Sequence, residues 1–319
     1  MLIHNGANAV RVKRSKKRAA NVRPGRDRDG YLYGPWRTPR NQGRATTGNI
    51  HSDDSAQKLG FRGGLVAGSI HMEMFVPHLL RLFGERCYQR GSLSLYFLYA
   101  TLDGEAVRAV LQLPPEGATD AQITVWGERP DGTRICEGTA SVGDVAEPSA
   151  LHARELVRYE PGELRILAGV KAGDELPAVD TRVEQEALER RLEVITEPLP
   201  YYTDPSRFGG LVATPVNVVN AMIQPAYRYL ARDRQNAIGM YGAIELRYIN
   251  GPLLVETSYQ AGGTVLGAGQ SPKTEYLWFD TYANDARGAR VAEMRMLLRY
   301  VKTSSPLYGE VKAAASAEN

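Results

Sequence analysis

The stretch Phe61-Arg62-Gly63-Gly64-Leu65-Val66-Ala67 is repeated, without its arginine, later in this chain of 319 residues. Its second copy is Phe208-Gly209-Gly210-Leu211-Val212-Ala213, and each copy leads into an apolar segment of helical length. Later, Gly91-Ser92-Leu93-Ser94-Leu95-Tyr96-Phe97 is matched by Gly242-Ala243-Ile244-Glu245-Leu246-Arg247-Tyr248, with apolar residues at alternate positions. The offset between copies grows from 146 to 156 residues, as loops of unequal length would cause. Two related modules therefore form a pseudo-dimer within one chain, with room for a site between them.

Each module is predicted to contain one long apolar helix followed by antiparallel strands. Alternating apolar residues indicate strands, and longer apolar segments of period 3.6 indicate helices. In the first module the helix covers 70–83, where Pro77 would bend it, and the strands cover 93–97, 107–113, 123–126 and 135–142. In the second, the helix covers 216–230 and the strands cover 243–248, 255–266, 274–282 and 291–301.

The fold class predicted from this order is α+β. A curved sheet would wrap each apolar helix, and joining two such sheets edge to edge would remove their exposed edges. The predicted divisions are a basic arm at 1–45, a site-bearing unit at 46–145, and a linker plus second unit at 146–319. The linker is predicted to contain a strand at 164–170 and an amphipathic surface helix near 182–195.

Composition indicates a globular protein rather than a membrane or metal-rich one. Hydrophobic residues make up 43% of the chain and charged residues 24%, and no apolar run reaches the roughly 18–20 residues of a membrane helix. The start of the chain has no apolar signal core, which favours a cytoplasmic location. Cys87 and Cys136 lack metal-ligand spacing and suit small buried residues. No metal and no cofactor are predicted.

Positive charge is concentrated at the N-terminus. Residues 1–45 hold twelve lysines and arginines against two aspartates, with a dense basic run from Arg11 to Arg18. A solvated arm is the favoured interpretation. A nucleic-acid patch is a less favoured one. A third is an electrostatic guide for an anionic carrier, such as coenzyme A or an acidic acyl carrier protein.

The segment from Asn49 to Gly68 resembles the MaoC-like acyl dehydratases of the hotdog superfamily, in their tandem or double hotdog form. Its Ile50-His51-Ser52-Asp53 and Phe61-Arg62-Gly63-Gly64-Leu65-Val66-Ala67-Gly68 match parts of the family pattern, which is roughly Asp-x-Asn-Pro-x-His, a spaced Ala, Phe-x-Gly and Val-x-Gly. The resemblance implies a pocket for an acyl thioester between two hotdog units. It also implies reversible hydration of a 2-enoyl thioester, with Asp and His activating water and a backbone N–H polarising the carbonyl.

Carried over by position, His51 matches the family histidine, although it stands one residue nearer to Ala56 than expected. Gly68 matches the glycine whose amide faces the carbonyl, with Ser69 beside it. The family aspartate falls at Thr46, and the Asn-Pro is absent. Either Asp53 or Asp54 takes its place, or the chemistry differs.

Each candidate also has a structural interpretation. His51 is suited to general base catalysis because its ordinary pKa lies near neutrality. Asp53 and Asp54 would orient it, or would only cap a helix. The Gly68–Ser69 amides would stabilise an oxyanion, or form a plain turn.

His71 would face the pocket, or would be an ordinary interior histidine. Tyr201 and Tyr202 would bind substrate from the second unit, or would pack at the interface. The second unit has no histidine in this region. We therefore expect one working site and one degenerate one.

The predicted function is that of a hydro-lyase that hydrates or dehydrates an acyl group carried by coenzyme A or an acyl carrier protein. Alternatives on the same scaffold are a pathway-specific lyase, isomerase or cyclase, or a thioesterase. A non-catalytic protein that binds an acyl or polyketide ligand is a further alternative. We also expect two double hotdog chains to associate as a homodimer.

Overall fold

The computed structural model describes residues 26–42, 50–156, 162–230 and 237–308. Its strands are β1 (Arg26–Arg28), β2 (Tyr31–Tyr33), β3 (Gly91–Phe97), β4 (Arg108–Gln112), β5 (Ala121–Glu128), β6 (Arg134–Val142), β7 (Glu175–Thr181), β8 (Gly239–Tyr248), β9 (Tyr259–Gln270), β10 (Thr274–Asn284) and β11 (Arg290–Val301). Its α-helices are α1 (Asp53–Lys58), α2 (Gly68–Glu73), α3 (Val76–Phe83), α4 (Arg86–Arg90), α5 (Gln185–Leu192), α6 (Pro215–Met222) and α7 (Gln224–Leu230). Short 3-10 helices lie at Pro200–Tyr202 and Lys302–Ser304.

The strands form one antiparallel sheet in the order β1-β2-β4-β5-β6-β3-β8-β11-β10-β9-β7. The two modules meet at its centre, where β3 pairs with β8. There Ser92 pairs with Arg247, and Tyr96 pairs with Ala243. In the repeat, Ala243 is the counterpart of Ser92 and Arg247 is the counterpart of Tyr96, so exchanging the two units leaves the pairing unchanged. A pseudo-two-fold axis produces this symmetric register. The predicted α+β fold, with two sheets joined edge to edge, is confirmed.

The long helix predicted in each module is broken into two. In the first, α2 and α3 are separated at Met74 and Phe75. Pro77 explains the break, because it has no N–H and its ring clashes with the carbonyl of the residue four positions earlier, Glu73. In the second, α6 ends at Met222 and α7 contains Pro225. All six residues of α2 are buried, as an apolar helix inside a curved sheet requires.

The strand predicted at 164–170 is wrong. This segment is a turn in which Ile166 and Leu167 are buried. The Glu275 carboxylate accepts hydrogen bonds from the backbone N–H groups of Arg165 at 2.8 Å, Ile166 at 3.1 Å and Leu167 at 2.8 Å. Because a side chain satisfies these donors, the segment needs no strand partner.

The helix predicted near 182–195 is present as the shorter α5. It is not a purely surface helix, because Leu188 and Arg191 are buried. The burial of Arg191 is unexpected, because a charged residue of an amphipathic helix ordinarily faces solvent.

Part of the segment predicted as a basic arm belongs to the sheet. β1 and β2 form a hairpin, and β2 continues the sheet by pairing with β4. The basic run from Arg11 to Arg18 lies outside the described residues.

The helices of the described part are short, and none is long and apolar enough to cross a membrane. Cys87 and Cys136 are buried and free, as predicted. Burial raises the pKa of each thiol to about 12. Neither is therefore a reactive thiolate near neutral pH.

Candidate functional site

A cavity of about 1020 Å³ lies at the seam between the two units. The first unit contributes the segment before α1, the start of α2 and the segment that follows β3. The second contributes the beginning of β8 with the residues before it, and the end of β11. Aromatic side chains supply much of the wall, namely Phe61, Tyr96, Phe97, Tyr99, Tyr227, Tyr241 and Tyr300.

His51 lines this cavity in a half-buried position. Its Nδ1 lies 2.7 Å from the carbonyl oxygen of Leu65, which also accepts a hydrogen bond from Asn41 Nδ2 at 2.7 Å. Because a carbonyl can only accept, Nδ1 of His51 carries the proton. In the neutral imidazole the lone pair is then on Nε2, as a proton acceptor requires.

The repeated glycine motif explains how His51 is held. A Cβ on Gly64 would lie 2.2 Å from the carbonyl oxygen of His51, so only glycine allows these backbones to meet. Gly64 N donates to Asp53 Oδ1 at 2.8 Å, and Leu65 N donates to the carbonyl of Ile50 at 3.0 Å. These contacts place the Leu65 carbonyl beside the imidazole.

Asp53 and Asp54 lie in the first turn of α1, and neither is among the residues that line the cavity. Asp53 binds the Gly64 amide, and Asp54 is exposed. The N-cap of α1 is Ser52, whose Oγ accepts a hydrogen bond from Ser55 N. A catalytic role for the two aspartates stays a prediction. Thr46, where the resemblance places the family aspartate, lies outside the described residues.

Gly68 begins α2 and lines the cavity, and the adjacent Ser69 is buried. A Cβ on Gly68 would lie 2.3 Å from the ring of Phe97, another residue of the cavity wall. The amides of the first turn of a helix have no partner within that helix. Backbone donors therefore stand at the edge of the cavity.

His71 also lines the cavity, but its environment differs from that of His51. It is 3% exposed, its Nε2 lies 2.6 Å from Thr101 Oγ1, and its Nδ1 has no hydrogen-bond partner among the described residues. Burial, together with the positive charge of Arg129, lowers the pKa of His71 to about 4. His71 is therefore neutral at pH 7 and a weak base.

The buried imidazole of His71 predicts a pH dependence of stability. The pKa is lowered from 6.5 to about 4 on folding, so the unfolded state binds more protons in this range and stability falls as pH falls. Relative to His71→Gln, the wild type should lose about 1.4 kcal/mol of unfolding free energy per pH unit below 6.5. Urea unfolding of both proteins between pH 7 and pH 4.5 measures this difference. Parallel stability curves would contradict it.

Tyr201 and Tyr202 are not among the residues that line this cavity. The Tyr201 hydroxyl donates to Glu85 Oε1 at 2.7 Å, and its ring packs on Tyr88 with centroids 5.3 Å apart. Tyr202 is almost fully buried. Both therefore pack against the first unit, and their predicted contact with substrate stays a prediction.

The position related to the cavity by the pseudo-two-fold axis is filled. A space of about 40 Å³ remains there, between Pro215 at the start of α6 and the beginning of β3. Its wall includes Tyr88, whose ring packs edge-on against Tyr201, Phe208 and Tyr248. Of these two positions, the one at His51 is the one with room for a substrate-sized ligand.

Sequence reasoning missed the wall contributed by the second unit, which includes Tyr227, Tyr241, Arg299 and Tyr300. Alternation in the predicted strand at 291–301 shows which residues share a face. It does not show that this strand end faces His51. The residue that could have indicated this wall from the sequence is Gly242, a glycine at the start of a repeated strand.

The described part of the cavity wall contains two imidazoles and one guanidinium, and no carboxylate. Within the described ranges, no group of three or more His, Cys, Asp or Glu residues is arranged to hold a metal ion. The arrangement provides a proton acceptor, backbone donors and an aromatic enclosure.

Three solved structures are similar to this chain over most of its length. A MaoC domain protein from Chloroflexus aurantiacus J-10-fl, a candidate dehydratase, is 14% identical with a TM-score of 0.56, covering 88% of this chain and 95% of that one. A MaoC-like dehydratase is 15% identical with a TM-score of 0.52, covering 84% and 97%. A conserved hypothetical protein from Mycobacterium tuberculosis with a double hotdog fold is 12% identical with a TM-score of 0.53, covering 84% and 93%.

No family model and no curated protein matches the chain. At these identities the structural similarity concerns the fold, which agrees with the symmetric β3–β8 seam and the broken helix inside each half of the sheet. By its fold, the chain is thus a double hotdog protein.

Proposed function

We propose that this protein is an enzyme that binds an acyl thioester in the cavity at the seam and catalyses reversible hydration of a 2-enoyl group. The observation that carries the proposal is that His51 and the start of α2 line the same large cavity. A proton acceptor and a set of backbone donors are the two elements that addition of water to an enoyl thioester requires.

In the hydration direction, Nε2 of His51 accepts a proton from water as the water oxygen bonds to C3 of the enoyl group. The C2–C3 π electrons move toward the thioester carbonyl and form an enolate. Amides at the start of α2 donate to that oxygen. The imidazolium then returns its proton to C2, which regenerates the carbonyl and neutral His51.

The Leu65 carbonyl performs the orienting role that a carboxylate has in many such sites. It fixes the tautomer of His51 and stabilises the imidazolium while the proton is held. A neutral carbonyl stabilises the imidazolium less strongly than a carboxylate does. Asp53 supports the arrangement indirectly, through the Gly64 amide.

The size of the cavity supports a thioester ligand. Small-molecule sites commonly enclose about 300–1,000 Å³, and the cavity measures about 1020 Å³. Its aromatic and apolar walls suit an acyl chain and a pantetheine arm. The opening toward solvent beside Tyr99, which is 60% exposed, leaves a path for the rest of the carrier.

A second candidate function is non-catalytic binding of an acyl ligand. It is favoured by the absence of a carboxylate from the described part of the cavity wall. In a binder the same aromatic enclosure would hold the ligand without activating water.

Crotonyl-coenzyme A separates the two candidates. We expect the wild type to decrease the absorbance of the conjugated thioester and to form 3-hydroxybutyryl-coenzyme A, identified by mass spectrometry. Calorimetry on the same preparation measures binding. Binding without turnover would favour the non-catalytic function, and the absence of both would overturn the proposal of a thioester ligand.

A further inference from the structure

Two arginines flank one tyrosine of the cavity wall. Nη2 of Arg299 donates to the hydroxyl of Tyr96 at 2.8 Å. The guanidinium carbon of Arg154 lies 3.7 Å from the centroid of the Tyr96 ring, in a cation–π contact. Tyr96 and Arg299 both line the cavity. Two positive charges from different segments therefore converge on one side chain.

Tyr96 and Arg299 belong to the cavity wall, and Arg154 lies on the ring face of Tyr96, outside the residues that line the cavity. Leu98 and Tyr99 line the cavity and are 40% and 60% exposed, so the wall that follows Tyr96 along the chain reaches solvent. Arg154 is also exposed. A ligand that enters here would place its reacting end inside and its polar end against the arginines.

The two guanidinium groups are not neutralised by the described protein. Among the described residues, no carboxylate forms an ion pair with Arg299 or Arg154, and no carboxylate lines the cavity. By contrast, Arg295 on the same strand as Arg299 binds Asp280 at 2.8 Å through two hydrogen bonds. The charge at the cavity opening is therefore available to an anion.

The backbone is shaped to accommodate Arg299. In the β8–β11 register, Tyr241 pairs with Leu298 and Ala243 with Leu297, which leaves Gly242 unpaired as a bulge. A Cβ on Gly242 would lie 2.7 Å from Nε of Arg299 and 2.7 Å from Cδ2 of Leu297. Glycine at this position thus leaves the space that the guanidinium occupies.

The first unit has no such feature. There Gly91, the counterpart of Gly242, pairs regularly with Val142. The repeat offset of 156 residues places Gly143 at the position of Arg299. The bulge and the arginine therefore occur together, in the unit that completes the open cavity.

We propose that Arg299 and Arg154 bind a phosphate of the group that carries the thioester, with Tyr96 holding the two guanidinium groups apart. The inference rests on the proposed function, since it assumes that the cavity takes an acyl thioester. The planar guanidinium fork matches phosphate geometry and binds it through two parallel hydrogen bonds. Coenzyme A and the phosphopantetheine arm of a carrier protein both supply such a phosphate.

Three crotonyl thioesters test the inference by calorimetry: the pantetheine, phosphopantetheine and coenzyme A forms. We expect the wild type to bind the phosphate-bearing forms about tenfold more tightly than the pantetheine form. Arg299→Met should abolish most of this difference, and Arg154→Met should reduce it. Equal affinity for the phosphopantetheine and coenzyme A forms would identify the shared phosphate. Preference for coenzyme A alone would identify its additional phosphates.

Two further variants separate the effect of the position of the guanidinium group from the effect of the net charge of the protein. Arg287→Met removes the same charge from an exposed arginine that pairs with Asp285, and it should leave all three affinities unchanged. Gly242→Ala keeps the charge but displaces the guanidinium, so it should lose the phosphate preference while thermal unfolding shows that it remains folded.

Equal wild-type affinity for all three thioesters would overturn this inference and leave the proposed function intact. An equal loss in Arg287→Met and Arg299→Met would also overturn it, because net charge would then explain the effect. If the wild type bound none of the three, the proposed function would fall together with the inference.

Discussion

Replacing His51 with asparagine is expected to lower kcat/KM for crotonyl-coenzyme A hydration by about 10²–10⁴-fold, the contribution of a positioned general base. Asparagine is the informative substitution because its Nδ2 occupies the place of Nδ1. It can therefore keep the hydrogen bond to the Leu65 carbonyl, which measures 2.7 Å in the native protein. What it removes is the lone pair on Nε2, so the fold and the cavity should persist while proton transfer is lost.

The matched control is His152→Asn. His152 is an exposed histidine that contacts Ser149 and Glu245, away from the cavity. It should retain wild-type turnover. For His51→Asn, calorimetry should show crotonyl-coenzyme A binding within about threefold of wild type, a difference below 1 kcal/mol. Turnover by His51→Asn within tenfold of wild type would show that another group handles the proton.

Replacing Arg191 with methionine is expected to destabilise the protein by about 3–5 kcal/mol, because it leaves a buried carboxylate without its counter-charge. Arg191 of α5 binds Glu73 of α2 through Nε at 3.0 and 3.1 Å and through Nη2 at 2.6 Å. The two side chains are 1% and 2% exposed. Nη1 of Arg191 also donates to the carbonyl of Arg40 at 3.1 Å.

The surroundings of this pair explain why the loss should be large. Burial raises the pKa of Glu73, and Arg191 is the main group that opposes the shift. Without Arg191, Glu73 must either remain charged in an apolar site or take up a proton at neutral pH. Because protonation relieves the cost, the destabilisation of Arg191→Met should shrink as pH falls toward 5.

Denaturant unfolding of three proteins tests this account. Arg190→Met is the matched control, since Arg190 is 63% exposed and, among the described residues, forms an ion pair only with the 86% exposed Glu186. It should change stability by less than about 1 kcal/mol. The double variant Glu73→Met with Arg191→Met should recover much of the loss, because no buried charge remains. If the double variant were no more stable than Arg191→Met, the loss would come from packing rather than from the unpaired carboxylate.

Much of the fold could be predicted because its determinants are local and periodic. Alternation located the strands from β3 to β6 and from β8 to β11, although β9 begins later than predicted, and Pro77 marked the break between α2 and α3. The failure at 164–170 has a long-range cause, since the acceptor that satisfies the backbone there is the side chain of Glu275, 110 residues from Arg165.

The sequence by itself determined that two copies of one unit exist, and that a histidine precedes the glycine motif in only one of them. Both features are encoded in short segments of the chain, where neighbouring residues determine the local backbone conformation. The tertiary structure alone decided that Arg299 and Tyr241 complete the cavity, that Tyr88 fills the related position, and that Arg191 is buried against Glu73. These contacts join residues more than 100 positions apart, and such pairs leave no periodic trace in the chain because only the packing of the two units brings them together.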